Sequence, residues 1–290
     1  MRWVLPALTL LAACASASPP QAKPGPVHPG LWKLADEDTT IYLFGTIHVL
    51  PDNYEWRTPA FNKAEGEAQE LVLEVADLDD PMKTATTFRA LAISPGQPPV
   101  LDRVPAEKRA GLEALIAKIG MSPAALDPFE SWAVAITVAS GILKDLNVSP
   151  ENGVEKQLQA DFNAVKKPVN GLETTEQQLG FFDKLPEAAQ RTFLTSMVDD
   201  AADPAKEFNA MISAWSKGDD KAIALSFDDE LKLSPELTKA LLHDRNANWT
   251  AWLAKRLDQP GTILVAVGTG HLAGDDSVID MLKKQNLKVT

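Results

Sequence analysis

Two unbroken apolar runs that each lead up to a Gly, Thr40 to Gly45 and Thr262 to Val267, predict strands buried on both faces, as in a parallel sheet covered by helices. Glu70 to Val75 is strand-like in the same way, and Lys167 to Glu173 reads as a short strand ending at an acid. Between the first and second strands Phe61, Ala64 and Ala68 recur at helical spacing, which predicts a helix over Pro59 to Gln69. Strand, helix, strand is a right-handed βαβ unit, so Thr40–Gly45 and Glu70–Val75 should run parallel with their carboxyl ends side by side. Leu31 to Leu34 is expected as a short edge strand.

From Pro81 to Asp258 the pattern is mainly helical. Asp127-Pro128-Phe129-Glu130 has the N-cap, first-turn proline and acid of a helix start, predicting an apolar helix to about Leu146. Further helices are expected over Gly153–Ala164, after Thr174 or Thr175 as cap, and over Pro186–Asp199, Pro204–Lys217, Asp219–Phe227 and Pro235–Leu257. The last unit, Thr262 to Val267, a helix over Asp276–Gln285 and Leu287-Lys-Val289, mirrors the first βαβ unit. The fold class predicted is α/β: a mixed or mostly parallel sheet built from both chain ends, with a large helical insertion over about 81–258. Residues 31–290 then form a single domain.

The first and last strands end in the same words, Gly45-Thr46-Ile47-His48 and Gly268-Thr269-Gly270-His271. The chain has only four histidines, and two occupy these matching places. Each sits just past a strand's carboxyl end, the edge of an open α/β sheet where loops converge on ligands. Glu74 and Glu173, at the ends of the other two strands, arrive at that edge by the same logic. Gly45, Gly268 and Gly270 are expected to turn the backbone sharply and bring it close to a ligand.

Charge and cysteine usage narrow the setting. Basic residues number 28 against 40 acidic, a net charge of −12, and no Lys/Arg stripe offers itself to phosphates, so nucleic acid is excluded as a partner. Residues 1–17 read as an export signal: Arg2, then an apolar stretch from Trp3 to Ala13 too short to span a bilayer. Leu11-Ala12-Ala13-Cys14 is similar to a bacterial lipobox, which would attach lipid to Cys14 and, with Ala15 next, send the protein to the outer membrane facing the periplasm. Cleavage after Ala15-Ser16-Ala17 would instead release a soluble periplasmic protein. Cys14 is the sole cysteine, so the mature domain has neither disulfide nor cysteine metal ligand. Residues 18–30 are proline-rich and read as an extended tether, with His28 solvated in it. A lipid would be the only membrane contact; the oligomeric state is left open.

Two imidazoles and one carboxylate on converging loops are a ligand set for a divalent metal with positions left for water and substrate. His48, His271 and Glu74 are the candidates, with Co, Mn or Zn all compatible, and Glu173 or Glu155 would shuttle a proton. Taken singly, each has a plainer reading: a loop histidine held by hydrogen bonds, an exposed acid at a strand end, a solvated helix face for Glu155. Arg245, Trp249 and Trp252 share one helix face, where Arg245 either stacks on indole or presents its charge to a substrate. His243 reads as a surface residue. His-Glu-x-x-His, P-loop, Gly-x-Ser-x-Gly and Gly-x-Gly-x-x-Gly patterns are missing from the sequence.

Leu31-Trp32-Lys33, Phe44 to Pro51 with its Gly-Thr-Ile-His48, Leu73-Glu74-Val75, Gly153-Val154-Glu155, Gly171 to Thr174, Asp244-Arg245-Asn246 with Trp249, and Val267 to Gly274 stand in the order found in the TraB/GumN family. The chain resembles that family, to which the Tiki metalloproteases are related, over residues 31–290. The resemblance implies two Gly-x-x-His motifs at His48 and His271, paired acids at Glu74 and Glu173, a basic residue at Arg245, and an acid of less defined role at Glu155. It also implies a metal-dependent protease acting on exported peptides or proteins, as described for the Tiki branch. A protein that binds or sequesters peptides without cleaving them is the alternative, since the pheromone-shutdown branch reduces release of a peptide signal.

Overall fold

The computed structural model describes residues 27–76, 81–146, 148–231 and 234–290. Its centre is a five-stranded sheet of β1 (Leu31–Ala35), β2 (Thr39–Thr46), β4 (Glu70–Val75), β6 (Val169–Glu173) and β7 (Gly261–Gly268), in the spatial order β1-β2-β7-β4-β6. β2, β7, β4 and β6 are mutually parallel and β1 is an antiparallel edge. The short β3 (Leu50–Pro51) and β5 (Val148–Ser149) form a separate antiparallel pair.

Side chains of the central strands alternate between two covered faces. Phe44, Leu71, Leu73, Leu264 and Ala266 pack with Phe61 of helix Pro59–Glu67, Val154, Leu158 and Phe162 of helix Val154–Ala164, and Trp56 and Trp215. Ile41, Leu43, Val72, Ile263, Val265 and Val267 pack with Trp249 and Leu253 of helix Asp244–Arg256 and Val278, Ile279 and Leu282 of helix Val278–Lys284. Ile263, Leu264, Val265 and Val267 are at most 1% exposed, so each side chain contributes about 1.5–3 kcal/mol of burial. The insertion has its own apolar cluster, including Leu112, Ile116, Val134, Val138 and Leu194. Among the described residues, no helix is long and apolar enough to cross a membrane.

Four local expectations change. β2 and β4 are parallel but not adjacent, because β7 lies between them and pairs with both. An apolar strand satisfies its backbone on both edges only in the middle of a sheet. Both edges of β7 are thereby taken, and the final segment goes elsewhere: Val289 bridges Leu34 antiparallel, with Lys33 and Thr290 exchanging N–H···O bonds of 2.8 and 3.0 Å along β1. Asp127 and Glu130 do not open a helix together. Asp127 accepts from the Val100 N–H at 2.8 Å and Glu130 accepts from Ser94, Trp132 and Gln190 across the insertion, while the helix runs from Ser131 to Asp145. The expected helix over 235–257 is interrupted by a π-helical turn, Lys239–His243, directly before the helix Asp244–Arg256 that carries Arg245.

The export signal, Cys14 and most of the tether lie outside the described residues. The tether's end, residues 27–30, is fastened to the domain: the His28 N–H donates to Ser216 O at 2.6 Å, and Pro29 is buried.

Candidate functional site

The parallel register sets Thr46 beside Gly268 and Val75 beside Glu173, so the carboxyl ends of β2, β7, β4 and β6 form one rim. On it the structure gathers His48, His271, Glu74, Glu173, Glu155 and Arg245. Four of these come from strand ends or the loops just after them, while helix Val154–Ala164 brings Glu155 and helix Asp244–Arg256 brings Arg245. Gly153 makes the first of these approaches possible, since a Cβ there would lie 2.2 Å from the His48 carbonyl oxygen.

His48 and Glu155 form one half of the site. His48 Nδ1 lies 2.7 Å from Glu155 Oε1, and the Thr46 hydroxyl donates to the same carboxylate. Glu155 raises the imidazole to about 9, and the ion pair holds the Glu155 carboxyl low against the effect of its burial. The His48 side chain is 69% exposed, so solvent screens the pair and weakens what it contributes to stability.

The other half is buried. Glu74 Oε1 accepts the Gly268 N–H at 2.6 Å, and Oε2 accepts from Arg245 Nη2 at 2.7 Å and Gln178 Nε2 at 3.2 Å. Burial pushes the Glu74 carboxyl up, yet the surrounding positive charge and the Gly268 N–H bring it down to about 2. Glu173 accepts from Arg245 Nε and Nη2, both at 2.9 Å, and from Trp249 Nε1 at 3.0 Å. Burial raises its pKa in spite of those donors. His271 packs against Trp249 with ring centroids 4.4 Å apart and planes inclined by 48°, with Nδ1 2.6 Å from Asn246 Oδ1 and Nε2 3.0 Å from Arg245 Nη1. Burial, assisted by Arg245, lowers its pKa to about 3, so the ring is neutral.

Arg245 both stacks, 4.7 Å over Trp249, and reaches the acids. A guanidinium has five N–H donors. Here Nε serves Glu173, Nη2 serves Glu74 and Glu173, and Nη1 serves His271 and the Leu241 carbonyl at 3.3 Å. Arg245 therefore organises two carboxylates and a histidine, with no N–H left over for a substrate. Trp252 is 36% exposed, at the margin of the buried stripe of its helix, and His243 is exposed as expected.

Gly268 lies among these groups. A Cβ built on it would sit 3.0 Å from Glu74 Oε1, 3.6 Å from His48 Nε2 and 3.7 Å from His271 Cδ2. Neither Gly45, Gly268 nor Gly270 has a left-handed φ, so the tight 3-10 turn Thr269–His271 after β7 forms without drawing on that freedom of glycine. Their service is space: Gly268 leaves a point open among two imidazoles and a carboxylate, and Gly45 lets β2 lie against Thr269, whose Oγ1 would be 2.7 Å from a Cβ there. Thr269 and Gly270 are buried in the turn that carries His271. Among the described residues no three His, Cys, Asp or Glu side chains stand as a ready metal shell. Glu74 Oε2 and His271 Nε2 are both held by Arg245.

Asn246, Gln178 and Trp249 complete the site without having been assigned to it from sequence. Asn246 carried a signal, since it and Thr250 are polar residues on the stripe that also holds Trp249 and Leu253, all four buried. Gln178 carried none.

A parallel α/β sheet with helices on both faces and an ion-rich rim at its carboxyl edge defines the class. The chain belongs to the TraB/PrgY/gumN family, which matches residues 30–290. It is similar to the uncharacterised protein YbaP of Escherichia coli K12, 25% identical over 248 residues that cover 83% of this chain and 87% of that protein, and equally to YbaP of Shigella flexneri. No solved structure gives a significant match.

Proposed function

We propose that the protein is a metal-dependent hydrolase, a peptidase acting on exported peptides or proteins, carried on a lipid at Cys14 in the outer membrane and facing the periplasm. The observation that carries the reading is the open point at Gly268, with His48 Nε2 and Glu74 Oε1 within 4 Å of it and the His271 ring alongside. Each imidazole has its Nδ1 against a side-chain oxygen, Glu155 for His48 and Asn246 for His271, the support expected of metal-binding histidines. Charge agrees: three carboxylates face one guanidinium, so with both rings neutral a divalent cation would bring the cluster to neutrality.

The donor set therefore fits Co, Mn or Zn held by His48, His271 and Glu74, provided Arg245 gives up His271 Nε2. The ion, when bound, would polarise a scissile carbonyl and acidify a water. Glu155 holds His48 in place, and loss of the His48 proton is the step with which binding competes. Glu173, whose burial raises its proton affinity, takes the proton from the attacking water and returns it to the leaving amine. Arg245 keeps Glu74 ionised and fixes Glu173.

A second reading, a peptide-binding protein without turnover, is favoured by the Arg245–His271 contact, which engages the His271 Nε2 lone pair within the protein. Peptide-library turnover with each metal, before and after EDTA, separates the two. The hydrolase loses activity in chelator and regains it with Co²⁺ or Mn²⁺. Undiminished peptide binding in EDTA with no product at any metal would establish the binder.

A further inference from the structure

We infer that Asn246 is a positioning residue that fixes His271 as its Nδ1–H tautomer, leaving the Nε2 lone pair as the ring's only acceptor. The inference deepens the role given to His271 in the proposed function, but its geometry stands without a metal. Asn246 is 2% exposed on helix Asp244–Arg256. Its Nδ2 lies 2.9 Å from the Asp276 carbonyl oxygen, which accepts and cannot donate. The amide is thereby oriented with Nδ2 toward Asp276 and Oδ1 toward His271 Nδ1, 2.6 Å away. Two acceptors do not face each other at that distance, so Nδ1 carries the hydrogen. The far side of the ring gives the same answer independently. Arg245 only donates, and its Nη1 is 3.0 Å from Nε2, so Nε2 must hold a lone pair.

The chain of contacts thus has one proton assignment, set by an acceptor-only group at one end and a donor-only group at the other. The Asp276 carbonyl is itself held. Gly274 and Asp276 adopt left-handed φ values of 79° and 58°, and the Asp276 N–H is tied to Asp280 Oδ2 at 3.2 Å at the head of helix Val278–Lys284. A cavity of about 500 Å³, bordered by Asp220, Leu225, Leu242 and Asp275, also reaches Asn246. On that side hydrogen bonds rather than packing keep the amide from turning. The C-terminal loop and helix therefore set the aim of His271 through one side chain.

The test uses the full chain with ¹⁵N-labelled histidine. In the metal-free wild type, two-bond ¹H–¹⁵N correlation should show His271 with a protonated, pyrrole-like Nδ1 and a bare, pyridine-like Nε2. The opposite tautomer, or a mixture, overturns the inference even if every variant misfolds. Asn246→Leu should lose the single-tautomer pattern, whereas Asn246→Asp, which keeps an acceptor, should retain it. In Co²⁺ titrations Asn246→Leu should bind roughly 10–100-fold more weakly. Leu253→Ala, matched for stability loss in the same helix, should bind as the wild type does. A folded Asn246→Leu with the wild-type His271 pattern refutes the positioning role. A wild type that binds no Co²⁺ but shows the Nδ1–H pattern refutes the metal reading alone.

Discussion

Replacing Gly268 with alanine tests whether the space among the two histidines and Glu74 is kept for a ligand. The backbone at Gly268, φ −50° and ψ 132°, is open to any L-residue, so the substitution adds a methyl without twisting the chain. Restricting the unfolded chain would by itself stabilise by about 0.4–1 kcal/mol. Against that, the methyl lands 3.0 Å from Glu74 Oε1, which has no easy retreat: the Gly268 N–H holds that oxygen at 2.6 Å and Arg245 holds its twin at 2.7 Å. Overpacking of this kind costs about 1–3 kcal/mol, so a net loss of roughly 1–2 kcal/mol is expected, a fall in Tm of about 2–8 °C. The effect on binding should be far larger than that on folding, because the methyl fills the point faced by His48 Nε2 and the His271 ring. Co²⁺ affinity, read from visible absorption titrations beside urea denaturation, should drop at least about 100-fold, or about 2.7 kcal/mol. A folded Gly268→Ala protein that binds Co²⁺ as the wild type does would refute the reasoning.

Arg245→Leu strands Glu74 and Glu173 as buried carboxylates without a counter-charge, and should destabilise by about 3–5 kcal/mol in urea denaturation. A loss below about 1 kcal/mol would mean that solvent reaches the acids and the cluster is not closed. The two histidines should drive pH dependence in opposite directions. His271 stays neutral in the fold down to about 3, against 6.5 in the unfolded chain, so below 6.5 the unfolded state binds the extra proton and stability falls as pH drops, by about 1.4 kcal/mol per unit. His48, held up at about 9, contributes stability that is complete below 6.5 and lost as pH rises through 9, an effect reduced by its exposure. Denaturation of metal-free His271→Gln between about pH 5 and 6.5 should give a flatter profile than the wild type; parallel profiles would show that His271 is protonated in the fold.

The sheet was legible where burial is two-sided. Thr40–Gly45 and Thr262–Val267 are apolar enough to be recognised alone, and once they are parallel His48 and His271 must share an edge. Glu74 and Glu173 followed from ending neighbouring strands. Strand order was not legible, because periodicity describes one strand at a time and does not record that β7 enters between β2 and β4. Asp127 and Glu130 misled for a related reason: a capping residue and a tertiary acceptor look alike until the donor, here Val100 or Trp132, is known. The role of Arg245 depended on counting its partners, which only coordinates supply. Asn246 was half legible beside it: polar positions at 246 and 250 interrupt an apolar stripe, but nothing in the sequence says that the amide faces a histidine from a turn 25 residues later.

The most direct measurement is elemental analysis of the protein purified without chelator, beside the His48→Ala/His271→Ala double variant with its fold checked by circular dichroism. The account predicts close to one divalent transition metal per wild-type chain and none in the folded variant. Wild-type protein that remains metal-free after incubation with Zn²⁺, Co²⁺ and Mn²⁺ would contradict it.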